Sequence, residues 1–430
     1  MNYNTLSPNA KTIKKVQSFA TGQMVTDSEV LNIAVIATGD IHYTQKAVEN
    51  VVSGIMSKGG VPIVVNIPDF GFLNKVNPYT AKFAREHRKM SMTNGIGIIK
   101  TNLVDCVVIV SDCDITTIGL LESCVKCNCP VIVVPMGINK SFCVDVLRSN
   151  GKQLARIDDE TKLESTALPR GLSPQFGTTT SFFLALEKLG FILPESTILQ
   201  TNTGSWVNMA YRAGIESIER AENVTTPKKI LAVKNKFTDA ISECLEMGAS
   251  INGLVSLLNL VDTKNSHSLF ADLSKTKGQV ILCRGSACDD GGYVQPVESG
   301  KVAFSGKAWV YQTLEDADKA ISSGAIDEGV IVLQNCVDTN VSGIIYTIEG
   351  MNKAGKIAVA TDGVAEPSPV LTITLCKPTS LQNEDFANIQ TADVLEIDLA
   401  KGRFNTSISA KDMKVRAKRN SNKEAQAYFS

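Results

Sequence analysis

Three aspartates and one cysteine follow apolar segments in the first third of the chain. Asp40, Asp69 and Asp114 each come just after such a segment, Cys113 precedes the last of them, and His42 lies two residues beyond the first. Carboxylates bind hard divalent ions such as Mg²⁺ or Mn²⁺, and histidine can exchange a proton near neutral pH. One such aspartate alone is best interpreted as a helix cap, but three at equivalent positions favour a binding site.

The segments that precede these residues have the pattern of buried parallel strands. They are continuously apolar, and stretches with helical periodicity separate them. The carboxyl ends of parallel strands lie at one edge of a sheet, where ligands bind in open α/β folds. We therefore expect the three aspartates to share a crevice. The expected strands are 32–37, 61–67, 106–110 and 131–134, with helices near 44–56, 79–92 and 116–127.

The expected secondary structure changes along the rest of the chain, from helices to short strands. Further helices are expected near 176–189, 208–219, 237–247 and 254–261, and a polar segment, 263–274, has the composition of a linker. From Gly278 onward, short strands with turn signals predominate, and they are expected near 280–284, 302–311, 330–333, 357–360 and 371–375. A hairpin over 394–408, one helix near 314–323 and a polar, basic tail from Lys411 complete this part. The predicted fold class is α/β: residues 1–265 form a domain with a parallel sheet flanked by helices, and residues 278–430 form a smaller, mostly-β, barrel-like domain.

Composition excludes several classes of function. The chain has 430 residues, a formal net charge of −1 and a hydrophobic fraction of 43%. This balance favours neither nucleic acid nor an anionic membrane as a partner. Neither a secretory signal nor an apolar run of membrane-spanning length is recognisable. The 11 cysteines are therefore expected to be free thiols in the reducing cytoplasm.

The order of several short motifs resembles that of the dihydroxy-acid and 6-phosphogluconate dehydratase family. The likeness extends from about Val35 to Lys414, and no single motif is specific by itself. The motifs are Ser111-Asp112-Cys113-Asp114, the helix start at 247–255, the pair 284–287 and 304–311, and Thr361-Asp362-Gly363 with the later strand 394–398.

The resemblance implies dehydration of a 2,3-dihydroxy acid to a 2-keto acid, with an iron–sulfur cluster held by three cysteines. Of the three cluster positions, only Cys113 is a cysteine here, because Asp40 and Ser173 occupy the other two. One thiolate is too few for such a cluster. We therefore expect no iron–sulfur cluster.

The resemblance also implies a magnesium site and a serine base. The magnesium aspartates correspond to Asp69 and Asp114, whereas the modified lysine of the family corresponds to Ile115. The serine base corresponds to Glu366, which we expect to act as a base if burial raises its pKa. Ser173, Asp362 and Gly363 are expected to contact the substrate.

The other cysteines and histidines are expected to be structural. Cys124, Cys127 and Cys129 are separated from Cys113 by most of a helix, roughly 15 Å, and are interpreted as buried apolar side chains. His87 is expected on a helix surface and His267 in the linker. His42, beside Asp40, is the one histidine that we expect to be a ligand or an acid–base group.

Three functions fit these observations. The favoured one is a lyase-like enzyme that acts on a small hydroxy or amino acid with Mg²⁺ or Mn²⁺, and Asp40 would join Asp69 and Asp114 as ligands of that ion. The second is a non-catalytic paralogue that serves as a scaffold or regulatory subunit, with an active dehydratase as partner. The third and least favoured is a conventional iron–sulfur dehydratase. By resemblance alone, we expect a homodimer.

Overall fold

The computed structural model describes residues 7–20, 22, 30–69, 83–138, 172, 177–233, 235–260, 280–295, 302–337, 339–376 and 385–428. The expected linker and Ser173 lie outside these ranges. In the first part of the chain, strands alternate with helices as their apolar periodicity predicts. These elements are α1 (Pro8–Ala20), β1 (Asn32–Thr38), α2 (Ile41–Ser57), β2 (Val61–Ile67), α3 (Ala84–Thr101), β3 (Cys106–Ser111), α4 (Asp114–Cys127), β4 (Val131–Pro135), α5 (Thr178–Leu189), α6 (Gly204–Glu222), α7 (Pro227–Leu231), α8 (Lys236–Glu246) and α9 (Ile251–Val255).

Four parallel strands form the first sheet, in the order β2-β1-β3-β4. Helices cover both faces: α2 and α6 pack on one, and α3, α4 and α5 pack on the other. This burial on both sides explains why β1, β3 and β4 are apolar without alternation. Because the chain leaves β1 toward β2 but leaves β3 toward β4, the strand order reverses between β1 and β3. This switch point is where ligands bind in such sheets. The parallel sheet with flanking helices is confirmed.

The helix pair on one face meets at two glycines. A Cβ at Gly54 of α2 would overlap the carbonyl oxygen of Tyr211, and a Cβ at Gly214 of α6 would overlap the carbonyl oxygen of Val51. The two backbones are therefore in direct contact, which no other residue type at these positions permits without movement.

The second sheet has eight strands and is barrel-like, as predicted. The elements of this part are β5 (Ile281–Gly285), β6 (Cys288–Val294), β7 (Ala303–Tyr311), α10 (Leu314–Ser322), β8 (Gly329–Leu333), α11 (Ser342–Gly350), β9 (Ile357–Thr361), β10 (Thr372–Ile373), β11 (Val394–Asp398), β12 (Arg403–Thr406) and α12 (Ala410–Tyr428). The strand order is β10-β9-β8-β7-β11-β12-β5-β6, and the two ends of the sheet meet where Tyr293 and Thr374 exchange backbone hydrogen bonds of 2.9 Å.

The sequence prediction for this second domain needs two corrections. It omitted β6, because the run Asp289-Asp290-Gly291-Gly292 has turn composition, and it omitted α11. The strands β7, β8 and β9 are parallel neighbours joined through α10 and α11, so this domain also contains βαβ units. The predicted hairpin is confirmed as β11 and β12, and the basic tail contains the helix α12.

Contacts between the domains are both apolar and polar. Tyr293 and Leu375 of the second domain belong to the same buried cluster as the side chains of α5 and α9. Among the described helices, none has the length and apolar character required to cross a lipid bilayer.

Candidate functional site

The carboxyl edge of the first sheet brings the predicted crevice residues to one side. Thr38 pairs with Ile67 across β1 and β2, and Ala37 pairs with Val110 across β1 and β3. The loops that follow these strands therefore begin side by side. At the switch point the Thr38 hydroxyl donates to Ser111 Oγ over 2.9 Å, and Ser111 Oγ accepts from the Cys113 backbone N–H over 3.1 Å.

Asp40 caps the helix that follows β1. Its carboxylate accepts the backbone N–H of His42 over 2.9 Å, and both residues are exposed. A carboxylate at this position satisfies a free N–H group and interacts favourably with the helix dipole. This role accounts for Asp40 without an ion, so its proposed role as a ligand and that of His42 as an acid or base remain predictions.

Asp69 and Asp114 follow β2 and β3 and are both half-buried. Asp114 is the first residue of α4, and its Oδ1 accepts the backbone N–H of Ile115 over 3.0 Å. Within the described residues, no group of three or more His, Cys, Asp or Glu side chains is arranged to hold a metal ion. The roles of Asp40, Asp69 and Asp114 as metal ligands therefore stay predictions.

Cys113 and His87 are connected through a threonine. Cys113 is 1% exposed and caps α4, and its sulfur accepts the Thr116 hydroxyl over 3.3 Å. The Thr116 hydroxyl lies 2.9 Å from Nε2 of His87, which is 6% exposed. The prediction that His87 is a surface residue was wrong. The charged neighbours Arg85 and Arg88 suggested that this part of the helix faces solvent. The His87 side chain instead lies on the face of α3 that packs against α4.

Glu366 contacts the start of α5 in the first domain from the second domain. Its carboxylate accepts the Thr178 backbone N–H over 2.7 Å and the Thr178 hydroxyl over 2.5 Å, so it caps α5. Its own N–H donates to Ser342 Oγ over 2.7 Å at the start of α11. No local pattern in the sequence indicates this contact, because the partners are 188 positions apart. A proton-accepting role for Glu366 stays a prediction and would require release from Thr178.

Asp362 and Gly363 shape the loop that carries Glu366. The Asp362 carboxylate accepts the backbone N–H groups of Asn335 and Cys336 over 3.0 and 2.8 Å. Burial raises the pKa of Asp362 to about 6, although the backbone hydrogen bonds lower it. A Cβ at Gly363 would lie 2.7 Å from the Thr339 carbonyl oxygen. Both residues thus have structural contacts, and their predicted contacts with substrate remain predictions.

A group of cysteines lies at the opposite edge of the first sheet. Cys106 opens β3, and Cys124 and Cys129 are buried beside it, while Cys127 is half-buried. Burial raises the pKa of the Cys106 and Cys124 thiols well above the usual value, and that of Cys129 to about 12. Their positions agree with the interpretation as buried apolar side chains.

Comparisons with known proteins match this architecture over both domains. Residues 31–283 match the family model described as dihydroxy-acid/6-phosphogluconate dehydratase N-terminal, and residues 269–430 match the corresponding C-terminal model. A dihydroxy-acid dehydratase of Ruminiclostridium cellulolyticum is 22% identical, with 88% of this chain and 86% of the relative aligned. Dihydroxy-acid dehydratases of Saccharolobus islandicus (22% identical; 73% of this chain and 74% of the relative) and Thermodesulfovibrio yellowstonii (22%; 88% and 86%) are also similar. The chain belongs to the dihydroxy-acid/6-phosphogluconate dehydratase family.

Proposed function

We propose that this chain is a divergent lyase-like enzyme of the family, which acts on a small hydroxy or amino acid by metal-assisted proton abstraction or elimination without an iron–sulfur cluster. The observation that carries the proposal is the position of Asp69, Cys113 and Asp114. They follow β2 and β3, the two parallel strands that flank β1, and the strand order reverses between β1 and β3. That edge is the usual ligand site of an open parallel sheet.

The residues at the cluster positions do not fit an iron–sulfur cluster. Such clusters are held mainly by cysteine thiolates, and Cys113 is the only cysteine at the three corresponding positions. Asp40, at another of them, is engaged with the backbone of α2. No step of the proposed reaction is therefore assigned to a cluster.

Asp69 and Asp114 fit a hard divalent ion better. Mg²⁺ is commonly held by one or two carboxylates and keeps several of its waters, so a pair of half-buried aspartates suffices. When bound there, the ion would polarise a carboxylate or hydroxyl group of the substrate.

The chain itself offers side chains that can hold a proton. Cys113 lies at the start of α4 and is 1% exposed. Thr116 donates to its sulfur and contacts His87, so these three side chains can hold a proton within one hydrogen-bonded series. Glu366, once released from Thr178, is the carboxylate that can take a proton from the substrate.

The test is elemental analysis of anaerobically purified protein, compared with the double variant Asp69→Ala and Asp114→Ala. We expect near-stoichiometric magnesium or manganese that the double variant loses, and that a variant at the exposed Asp239 on α8, Asp239→Ala, retains. Turnover of hydroxy acids should depend on the same ion. Stoichiometric iron and sulfide would overturn the cluster-free mechanism and restore the conventional dehydratase.

A non-catalytic paralogue is the second candidate, and one observation favours it. Asp40 and Glu366 stand at positions where the family resemblance expects a cysteine and a serine, and both cap helices here. These substitutions therefore have structural roles that need no ion. Absence of bound metal and of turnover, together with a stable complex on co-expression with an active dehydratase, would establish this alternative.

A further inference from the structure

The first turn of α5 holds a carboxylate that comes from the other domain. This 12-residue helix begins at Thr178 after Gly177. Glu366 accepts both the N–H and the hydroxyl of Thr178. Free N–H groups and the dipole make a helix start attractive to anions. Glu366 is thus positioned as an internal ligand of this helix start.

Two buried polar atoms beside the same turn have no hydrogen-bond partner in the described structure. They are Ser250 Oγ and Asn252 Oδ1, in residues that are 0% and 8% exposed. A buried polar atom without a partner is rare and unfavourable, and it commonly marks a bound water or ligand. Neither atom is explained by the fold.

Ser250 and Asn252 belong to a segment that packs directly on the start of α5. A Cβ at Gly253 would overlap the Thr178 carbonyl oxygen. The Ser250 N–H donates to Ser181 Oγ over 2.8 Å, one turn into α5. Gln295 holds the same segment by accepting the Ile251 N–H over 3.1 Å and donating to the Ala249 carbonyl over 2.9 Å. These contacts hold the backbone of Ser250 and Gly253 against the first turn of α5, so the segment that carries the two unpaired atoms packs beside Thr178.

The named groups have a common chemistry. Thr178, Ser181, Ser250 and Asn252 are neutral and polar, and the helix start adds partial positive charge. The one anion that contacts Thr178 in the described hydrogen bonds is the carboxylate of Glu366. A ligand with a carboxylate and a nearby hydroxyl matches this set. The N–H and hydroxyl of Thr178 can donate to the carboxylate, and the Ser250 hydroxyl and the Asn252 oxygen can bind the ligand's hydroxyl.

We propose that the start of α5 is a carboxylate-binding site, which Glu366 occupies in this structure and which the carboxylate of a small 2-hydroxy acid takes over. Thr178 N–H and Oγ1 then bind the acid's carboxylate, while Ser250 and Asn252 bind its hydroxyl. The identification of that acid as a substrate rests on the proposed function, but the binding itself does not. Glu366 and the acid compete for one position.

Chemical rescue tests this competition. Thermal unfolding of Glu366→Ala is measured with formate, acetate or glycolate against chloride at constant ionic strength, with EDTA present. We expect the variant to unfold at a lower temperature than the wild type and to regain stability, saturably, with the carboxylates but not with chloride. The rise in unfolding temperature should be larger with glycolate than with acetate. It should be smaller for the wild type than for Glu366→Ala. Glu328→Ala, an exposed glutamate of the same domain, should show no rescue.

Two further variants keep the outcome decisive. Thr178→Val in the Glu366→Ala background removes one donor and should weaken the rescue by about tenfold, the usual effect of one hydrogen bond to a charged group. If Glu366→Ala does not fold, Glu366→Gln, which is nearly isosteric, should bind glycolate more tightly than the wild type. Equal responses of all variants to each carboxylate and to chloride would refute the site. Because EDTA removes divalent ions, the rescue does not depend on the proposed metal. Rescue of the variant, together with no turnover by the metal-loaded wild type, would refute only the enzymatic proposal.

Discussion

Asp362 gives the sharpest prediction, because two effects on its carboxyl group oppose each other. The residue is 4% exposed, and burial disfavours its ionised form, whereas the N–H groups of Asn335 and Cys336 favour it. Burial is the larger effect, and it raises the pKa to about 6. In the unfolded chain the group should titrate near its ordinary value of about 3.9. The folded state therefore binds this proton more strongly.

The sign of the pH dependence follows from this difference. Between about pH 4 and pH 6 the folded protein holds more protons than the unfolded protein, so the free energy of unfolding falls as pH rises. The stabilisation is complete below the unfolded pKa and is lost as pH rises through the folded pKa. A shift of roughly two units corresponds to about 3 kcal/mol, as an order of magnitude.

Asp362→Asn removes this titration. The amide keeps one acceptor oxygen but leaves one backbone N–H facing an NH₂ group, which should cost about 1–3 kcal/mol. The wild type should therefore be more stable than Asp362→Asn at pH 4, and the difference should shrink or reverse by pH 7. Hydrogen exchange in peptides from β8 and β9 measures this within the second domain. Asp239→Asn, on an exposed position, is the control. A stability difference that grows with pH would show that the backbone hydrogen bonds prevail over burial.

Three other predictions follow from packing and from the thiols. Gly177→Ala places a Cβ against Oε2 of Glu366. Loss of this cap should lower the free energy of unfolding by about 1–2 kcal/mol, as measured by urea titration. An unchanged free energy would mean that Glu366 does not cap α5. Gly54→Ala should push α2 away from α6 and lower the free energy of unfolding by more than about 2 kcal/mol. Gly97→Ala, whose Cβ would meet open space on α3, should instead raise it by up to about 1 kcal/mol. Equal effects of the two variants would contradict the backbone contact. Mass spectrometry after brief alkylation should find half-buried Cys127 modified before its buried neighbours, whose pKa values burial raises; the reverse order would contradict their burial.

The local pattern of apolar residues was sufficient to predict most strands and helices of the first domain. The continuous apolar runs of β1, β3 and β4 indicated a sheet buried on both faces, and the structure confirms it. The same reasoning failed for β6, because Asp289 to Gly292 has the composition of a turn. That strand pairs with β5 in one register over residues 281–283, and the register shifts between Cys283 and Gly285. Its place is set by tertiary pairing and not by local preference.

The candidate site was predictable only in part. The aspartates and Cys113 could be placed at one edge because each follows a parallel strand, which is a local property. The burial of His87 and the contact of Glu366 with Thr178 depend on partners distant in sequence. Asp40 and Glu366 need no ion in this structure, because a backbone N–H group donates to each carboxylate.

The cap on α5 also has a consequence for the order in which this chain can fold during synthesis. Helix α5 lies in the core of the first domain, yet the side chain that completes its first turn is made 188 residues later. Since translation proceeds from the N-terminus, the nascent first domain must keep the Thr178 N–H hydrated until the loop after β9 leaves the ribosome. The last step in maturing this helix is therefore the arrival of the second domain, and a pause in translation before Glu366 should leave α5 frayed at its start.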